Sequence, residues 1–318
     1  MHITTVIPAF KPHYLPDLLT SLHQQTRRSQ RIIFSDDSPN GEYRVAFFAE
    51  SLAPLRAGLN IEFIDGPRRG AYPNIQHLVE YGGPGCELLH VLLDDDVIYP
   101  AFYERHLLAH ASAAISCSIS RRWQANEAGL PLLGQPVPDA VAQHPQRLLS
   151  LDAGLIFMST ALECKNWLGE FSNAVFSAAA APLLLAPSMG GVSYAGLWDL
   201  GAFLAASLHA PIAFLQDHLG YFRTGSANNS AQFFGPYMKA AHLGYAALLL
   251  GGQRIGKYSP AQMQQGLAIL AGAMAQRYAS QADMLPFITL LPQMAAGHEL
   301  AEARFIQTWH AYLRQHGF

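Results

Sequence analysis

Apolar residues in the first hundred positions fall into two alternating patterns. Short runs of β-branched and other apolar residues predict buried strands, and longer mixed segments, the first with leucines at helical spacing, predict helices. The predicted strands are 3–7, 31–34, 61–64 and 88–93, and the helices between them are 16–25, 41–55 and 74–81. Pro8 is expected to end the first strand. This strand–helix alternation predicts an α/β fold with a mostly parallel sheet and crossover helices.

The pattern changes twice in the rest of the chain. Residues 124–146 are rich in proline, glycine and polar residues and are expected to form a loop or lid. From Pro236 onward almost every segment has helical spacing. The elements predicted here are strands 115–120, 150–159 and 212–215, a loop at 224–231, and helices 102–114, 198–209, 237–250, 260–278, 283–296 and 298–316. We expect a sheet domain over 1–232 and a helical region over 233–318.

Composition excludes several classes of protein. Half of the 318 residues are hydrophobic and 14% are charged, so the chain can bury a large core. The net charge of -3 argues against a nucleic-acid partner. Cys86, Cys117 and Cys164 form no metal-type pair and suggest a reducing compartment. With no signal peptide visible, we expect a cytoplasmic protein, with peripheral contact at the inner face of the membrane as an option.

Three consecutive carboxylates, Asp94, Asp95 and Asp96, follow the apolar strand at 88–93. Like charges at the end of a buried strand repel one another, and a divalent cation would relieve that repulsion. Carboxylate oxygens suit Mg²⁺ or Mn²⁺. Side chains alternate along an extended chain, so Asp94 and Asp96 are the expected metal clamp. The alternative is a solvated acidic loop.

A second acidic pair, Asp36-Asp37, ends the strand at 31–34. In a parallel sheet both acidic ends lie at the edge where ligands bind, which suggests a nucleotide-diphosphate substrate. The alternative for this pair is an Asx turn or a helix cap. The glycine-rich dinucleotide and P-loop motifs, H-E-x-x-H and G-x-S-x-G are all missing. Their absence weakens the hypotheses of a dehydrogenase, a P-loop enzyme, a zinc protease and a serine hydrolase.

Five segments together resemble the family 2 glycosyltransferases of the GT-A fold. They are TTVIPAF, IIFSDDS, GAYPN, VLLDDDVIYP and DAGLIFMST, and the resemblance covers about two thirds of the chain. It implies a GT-A-type, Rossmann-like sheet with a C-terminal helical appendage. It also implies a nucleotide-sugar half at 1–100 and an acceptor half at 101–232, with 150–159 as an acceptor-side strand.

The resemblance assigns donor contacts to particular residues. They are Pro8, Ala9, Phe10, Asp37, Asn74 and Asp94, and we expect Asp36, Arg69 and Asp95 to contact the donor as well. Asp94 and Asp96 match the D-x-D element that binds the metal, Mn²⁺ or Mg²⁺, and the sugar diphosphate. Pro73 stands where the family commonly has an arginine, and Arg68 or Arg69 is expected to supply the missing charge.

The resemblance also implies a general base about a hundred residues after the D-x-D element. Asp199 is the candidate and Asp217 the runner-up. The family's usual E-D pair is Trp198-Asp199 here, and Trp198 is either a sugar-stacking platform or a core aromatic. Arg223 ends the resemblance and is expected to bind substrate. The histidine that often follows this arginine is absent, with His218 as a substitute metal ligand.

The implied activity is inverting transfer of a sugar from a nucleotide-diphospho-sugar to a glycan or lipid-linked acceptor, in bacterial surface polysaccharide synthesis. Two other functions remain open. One is a nucleotidyltransferase, which would share the acidic sheet edge. The other is a catalytically inactive module that binds a sugar nucleotide or glycan. The C-terminal helices are expected either to pack on the sheet domain or to contact a second copy or an assembly partner.

Overall fold

The computed structural model of the protein describes residues 1–225 and 231–318, so most of the loop predicted at 224–231 lies outside the described residues. The chain divides into two compact units. The first comprises Met1–Leu151, Leu168–Ala186 and Ala206–Thr224, and the second comprises Asp152–Trp167, Pro187–Ala205 and Gly225–Phe318. The second unit therefore contains segments that precede the C-terminal helices. The domain division at residue 232 stays a prediction.

The first unit is built on four parallel strands in the order β3-β2-β1-β4. These are β1 (Ile3–Ala9), β2 (Arg31–Asp36), β3 (Ile61–Asp65) and β4 (Leu88–Val91). Val6 pairs with Ile33 on one side and Val91 on the other. All four strands were predicted. Pro8 does not end β1, because the strand continues through it to pair Ala9 with Asp36.

The sheet continues beyond β4 with strands of both directions. They are β5 (Val97–Ile98), β6 (Cys117–Ala125), β7 (Pro131–Gly134), β8 (Leu148–Leu151), β9 (Ala174–Ser177) and β12 (Ile212–Arg223). The order is β4-β9-β6-β12-β5, with β9 antiparallel to β4 and β6, and β12 parallel to β6. The expected α/β fold with a mostly parallel central sheet is confirmed.

Helices cover this sheet and bury a core that includes Ile7, Leu19, Phe34 and Phe102. They are α1 (Leu15–His23), α2 (Glu42–Phe47), α3 (Ala53–Arg56), α4 (Ala71–Gly82), α5 (Phe102–Ser112) and α6 (Asp139–Ala142). The single helix predicted at 41–55 is wrong. It is broken into α2, a 3₁₀ turn and α3, because the backbone leaves helical geometry at Ala49 (ψ 136°), and Pro54 then lies in the first turn of α3, where a missing N–H costs nothing.

The second unit is mostly helical. It contains α7 (Ala153–Ser159), the start of α8 (Trp198–Ser207), α9 (Pro236–Arg254), α10 (Pro260–Tyr278), α11 (Leu285–Ala295), α12 (Glu299–His316) and a hairpin of β10 (Ser188–Met189) and β11 (Val192–Ser193). The four helices predicted after residue 236 are confirmed. Among the described residues, no helix combines the length and apolar character needed to cross a bilayer.

The strand predicted at 150–159 is wrong. Strand β8 ends at Leu151, and α7 begins two residues later. Asp152 caps this helix, because its Oδ1 accepts a hydrogen bond from the N–H of Leu155 at 2.8 Å. A capped helix satisfies these backbone groups locally, so an apolar run that also suits a strand becomes helical.

His90 makes the sheet sensitive to acid. The side chain is fully buried on β4, with Nε2 3.1 Å from the carbonyl of Ser172 and Nδ1 3.3 Å from the hydroxyl of Tyr103. Nε2 therefore donates and Nδ1 accepts, as in a neutral ring. Burial lowers the pKa of His90 to about 4.

We predict that His90 contributes stability that is fully present above the ordinary pKa of 6.5 and is lost as the pH falls toward about 4. The stability is lost because only the unfolded chain binds the proton readily over that pH range. The free energy of unfolding then falls by up to about 1.4 kcal/mol per pH unit. Denaturant unfolding at several pH values should show a shallower slope in His90→Gln. The exposed His2→Gln variant is the control, and an equal slope in wild type and His90→Gln would exclude this origin.

Candidate active site

Asp94, Asp95 and Asp96 lie in a turn between β4 and β5 and are only 6%, 7% and 1% exposed. Burial, and next the charge of Asp95, raises the pKa of Asp94 to about 7. Burial, and then the charges of Asp95 and Glu170, raises the pKa of Asp96 well above its usual range. Negative charge is therefore costly in this turn, and a nearby cation would favour the ionised carboxylates.

The alternation that predicted a clamp by Asp94 and Asp96 does not hold, because these residues form a turn and not an extended strand. Asp94 faces the loop after β1, where its Oδ2 accepts from the N–H of Phe10 at 2.6 Å and of Lys11 at 2.5 Å. The ammonium of Lys11 forms an ion pair with Asp95. Although burial by itself lowers the pKa of Lys11, the three carboxylates raise it overall, which favours the charged ammonium.

Arg223 supports the turn from the end of β12 and is 1% exposed. Its N–H donates to Asp96 Oδ1 at 3.1 Å, and its Nε donates to the carbonyl of Asp95 at 2.9 Å. Further contacts of its guanidinium are with Glu127 O at 2.6 Å, Asp17 Oδ2 at 2.8 Å, Tyr221 Oη at 3.1 Å and the face of Tyr14 at 4.4 Å. Arg223 thus holds the acidic turn in place, and a role in binding substrate stays a prediction.

Oδ2 of Asp96 is buried and has no hydrogen-bond partner of normal geometry among the described residues, although the Ser172 side chain is near enough to lower the pKa of Asp96 in part. The ion pair of Arg122 with Glu170 lies in the same region, on the wall of a small cavity that Ser172 also lines. A buried carboxylate oxygen with no donor is costly unless a cation or an O–H group meets it. A cation that binds at this oxygen would therefore remove the largest unfavourable energy in the turn.

The residues fit a metal ion that arrives with a ligand, but not a metal held by protein alone. The described residues contain no group of three or more His, Cys, Asp or Glu side chains that could hold an ion. Asp94 and Asp95 are already engaged by the loop after β1. Mg²⁺ commonly uses one or two carboxylates and takes its other ligands from phosphates and water. Asp96 Oδ2 could be the ligand that the protein provides to the ion.

Asp36 and Asp37 turn inward from the end of β2. Asp36 Oδ1 accepts from the N–H of Ser38 at 3.0 Å and Oδ2 from the N–H of Arg44 at 3.2 Å, so it forms an Asx turn leading into α2. Asp37 holds the loop before α4 by accepting from the N–H of Arg68 and, at 3.0 Å, of Gly70. Both carboxylates thus have a structural task here.

The other residues assigned to the donor differ in accessibility. Pro8 and Ala9 are buried in β1, whereas Phe10 is 53% exposed and Arg69 is exposed. Asn74 is buried in α4, where its Oδ1 accepts from Ser35 Oγ at 2.6 Å and its Nδ2 donates to Ser35 O at 3.1 Å. Phe10 and Arg69 are therefore the two that present side chains to solvent, and the donor contacts of all five residues stay predictions.

On β12, Asp217 forms an ion pair with Arg147, and His218 stacks on Trp123 with ring centroids 4.1 Å apart. Burial, and then nearby arginines including Arg121, lowers the pKa of His218, which favours the neutral ring. Its Nε2 is buried without a hydrogen-bond partner among the described residues. His218 thus retains a nitrogen able to bind a metal, but in the part of the chain that the structure describes no hydrogen bond joins it to the acidic turn.

Asp199 belongs to the second unit and lies in the first turn of α8, half-buried, with Oδ1 accepting from the N–H of Leu200 at 2.7 Å. Its charge helps raise the pKa of Tyr245, although burial of the tyrosine is the larger cause. Trp198 is only 4% exposed, as expected of a core aromatic. The base role of Asp199 stays a prediction.

Lys11 is a residue of this site that was not predicted from the sequence. It follows Phe10 directly in the loop after β1 and provides an ammonium for the acidic turn 84 residues away. Three adjacent buried carboxylates require nearby cations, so a lysine at the same sheet edge was the available signal. Glu170 and Arg122 were missed for a different reason, because no motif marks them.

The sheet topology of this chain, with its acidic turn at one edge, is that of the GT-A-type glycosyltransferase fold. The structure of an S. aureus TarS fragment in complex with UDP-GlcNAc matches with a TM-score of 0.57 and 12% identity, covering 99% of this chain and 91% of that one. The mannosyltransferase PcManGT from Pyrobaculum calidifontis, in complex with GDP-Man and Mn²⁺, matches with a TM-score of 0.54 and 14% identity, covering 98% and 84%. No protein-family profile and no curated protein matches the sequence.

We predict that Asn74→Ala lowers the free energy of unfolding by about 2 kcal/mol, because it leaves the buried Ser35 without its two partners. Denaturant unfolding followed by circular dichroism measures the change. The control is Asn40→Ala, whose side chain bonds Glu42 at the surface and should cost under about 0.5 kcal/mol. Equal losses in the two variants would contradict a structural role for Asn74.

Proposed function

We propose that the protein is an inverting glycosyltransferase that moves a sugar from a nucleotide-diphospho-sugar to a hydroxyl of a glycan or lipid-linked acceptor. The observation that carries the proposal is the buried acidic turn, in which Asp96 Oδ2 meets no hydrogen-bond donor within residues 1–225 and 231–318, at the ligand-binding edge of a GT-A-type sheet. Solved structures with this fold include complexes with UDP-GlcNAc and with GDP-Man and Mn²⁺. We extend the proposal to synthesis of bacterial surface polysaccharide.

The donor end of the reaction is assigned to the first unit. Asp96 would hold a divalent metal, Mn²⁺ or Mg²⁺, with Asp94 as a second ligand if the loop after β1 releases it. Bound there, the metal supplies charge stabilisation for the departing diphosphate. Lys11 lies beside the same carboxylates. Its ammonium can exchange its ion pair with Asp95 for one with a phosphate oxygen while staying at the turn.

The acceptor end is assigned to Asp199. A carboxylate that takes the proton of an acceptor hydroxyl allows that oxygen to attack the anomeric carbon as the diphosphate leaves. A single displacement of this kind inverts the anomeric configuration. The half-buried position of Asp199 at the start of α8 leaves part of its side chain accessible.

We predict metal-dependent binding of a nucleoside diphosphate by wild-type protein, because phosphate oxygens complete the coordination that Asp96 begins. Isothermal titration with UDP, GDP and dTDP, each with and without Mn²⁺, measures it. Asp96→Asn should lose the metal-dependent part of the affinity, at least about tenfold. Asp139→Asn, which changes an exposed acid of α6, should keep it. Wild-type protein that binds none of these nucleotides would overturn the donor assignment.

We predict that Asp199→Asn lowers kcat by about a hundredfold or more and leaves the affinity for the sugar nucleotide unchanged. The substitution removes the general base but no group that binds the sugar nucleotide. The measurement needs the sugar donor found by titration and a panel of acceptors. Asp217→Asn is the matched control and should keep most of the activity. Full activity in Asp199→Asn would exclude this base. Tight donor binding with no transfer by wild type to any acceptor would instead favour the inactive sugar-nucleotide-binding module.

A further inference from the structure

The second unit contains a cleft of about 510 Å³ between α9 and α10, which we call the α9–α10 cleft. The residues on its walls that matter here are Phe234, His242, Tyr245, Leu270, Gln276 and Arg277. Nothing in the donor site uses any of them. The volume lies in the range that proteins use for small organic ligands.

A cation is held at this cleft in a fixed position. Arg277 NH1 donates to His242 Nε2 at 2.9 Å, and His242 Nδ1 lies 2.7 Å from the carbonyl of Met238. Nδ1 must therefore carry the proton, which leaves Nε2 as an acceptor for the guanidinium. Tyr278 Oη, 3.0 Å from Nδ1, restrains the ring further.

Most N–H donors of the Arg277 guanidinium remain available to a ligand after the hydrogen bond to His242. In the described part of the chain, no carboxylate forms an ion pair with Arg277. A positioned guanidinium with free donors suits bidentate binding of an oxyanion such as phosphate or carboxylate. Gln276, exposed next to it, adds a neutral donor and acceptor.

The rest of the cleft offers apolar and aromatic surface. Phe234 is 55% exposed, whereas Leu270 and Tyr245 also line the cleft but are buried. Sugar rings combine apolar C–H faces with hydroxyl groups, so a wall of this kind suits them. A cleft for an anion alone would need no such wall.

The cleft is connected to the proposed base within the same unit. Gly244 of α9 packs against the segment before α8, so closely that a Cβ at this position would lie 2.5 Å from the Cβ of Leu197. That contact brings the first turn of α8 to the part of α9 that carries Tyr245. The charge of Asp199 accordingly acts on Tyr245, which lines the cleft.

We infer that the α9–α10 cleft binds the acceptor and that this acceptor is a sugar bearing an oxyanion, either phosphate or carboxylate. Arg277 binds the anionic group, Phe234 and Tyr245 contact the sugar ring, and a hydroxyl of the same molecule reaches toward Asp199. The inference rests on the proposed function for its choice of Asp199 as base. Binding of the anionic sugar itself depends only on the cleft.

Direct binding to the full-length protein tests the inference without turnover. The probes are glucose 1-phosphate, glucuronate, methyl glucoside and inorganic phosphate, each titrated by ligand-observed NMR. We expect glucose 1-phosphate or glucuronate to bind at least ten times more tightly than methyl glucoside and inorganic phosphate. Whichever of the two binds better identifies the anion as phosphate or carboxylate. Equal affinity for the neutral and anionic sugars, or for inorganic phosphate and the sugar phosphate, would overturn the inference.

Variants locate the binding. Arg277→Met should weaken binding of the anionic sugar at least tenfold, Arg277→Lys should weaken it less, and Arg314→Met, at an exposed arginine of α12, should leave it unchanged. Unchanged binding in Arg277→Met would overturn the site.

Titration of UDP and GDP with Mn²⁺ in the same variants separates the two proposals. Donor affinity should not change in Arg277→Met. If wild-type protein binds anionic sugar but no nucleotide, the cleft stands and the proposed donor site fails. If it binds nucleotide but no anionic sugar, the donor site stands and the cleft assignment fails.

Discussion

Three neighbouring carboxylates in one buried turn are the constraint on which the first unit depends. Asp94, Asp95 and Asp96 repel one another in a medium that screens charge poorly, so the fold must supply donors and cations around them. Two backbone N–H groups and the Lys11 ammonium come from the loop after β1, and Arg223 comes from the end of β12. Satisfying the turn therefore ties together strands from both ends of the unit.

The donors and cations around the acidic turn leave one carboxylate oxygen available to a ligand. Asp96 Oδ2 remains buried without a donor among the described residues, and the pKa of Asp96 is raised well above the usual range. A site that is fully satisfied in the free protein would gain nothing from a ligand, whereas this one gains most from a cation. Proteins commonly place such unfavourable groups where they bind or react.

The interpretation from sequence succeeded where a local pattern determines the outcome. The strands β1 to β4 and the long helices α9 and α10 follow from the periodicity of their own apolar residues. It failed where a neighbouring polar residue changed the backbone. Asp152 starts α7 inside an apolar run, and the acidic residues 94–96 form a turn in which strand alternation has no meaning.

The sequence alone therefore determined the fold class, the acidic edge of the sheet and the candidate residues, because these depend on hydrophobic periodicity and on strand ends. Only the tertiary structure decided how those residues are used. Lys11 pairs with a carboxylate 84 residues away, and Arg223 supports one 127 residues away. The inward turn of Asp37 likewise depends on a loop more than thirty residues later. Contacts over such separations form only when the sheet brings distant strand ends together, and no local spacing encodes them.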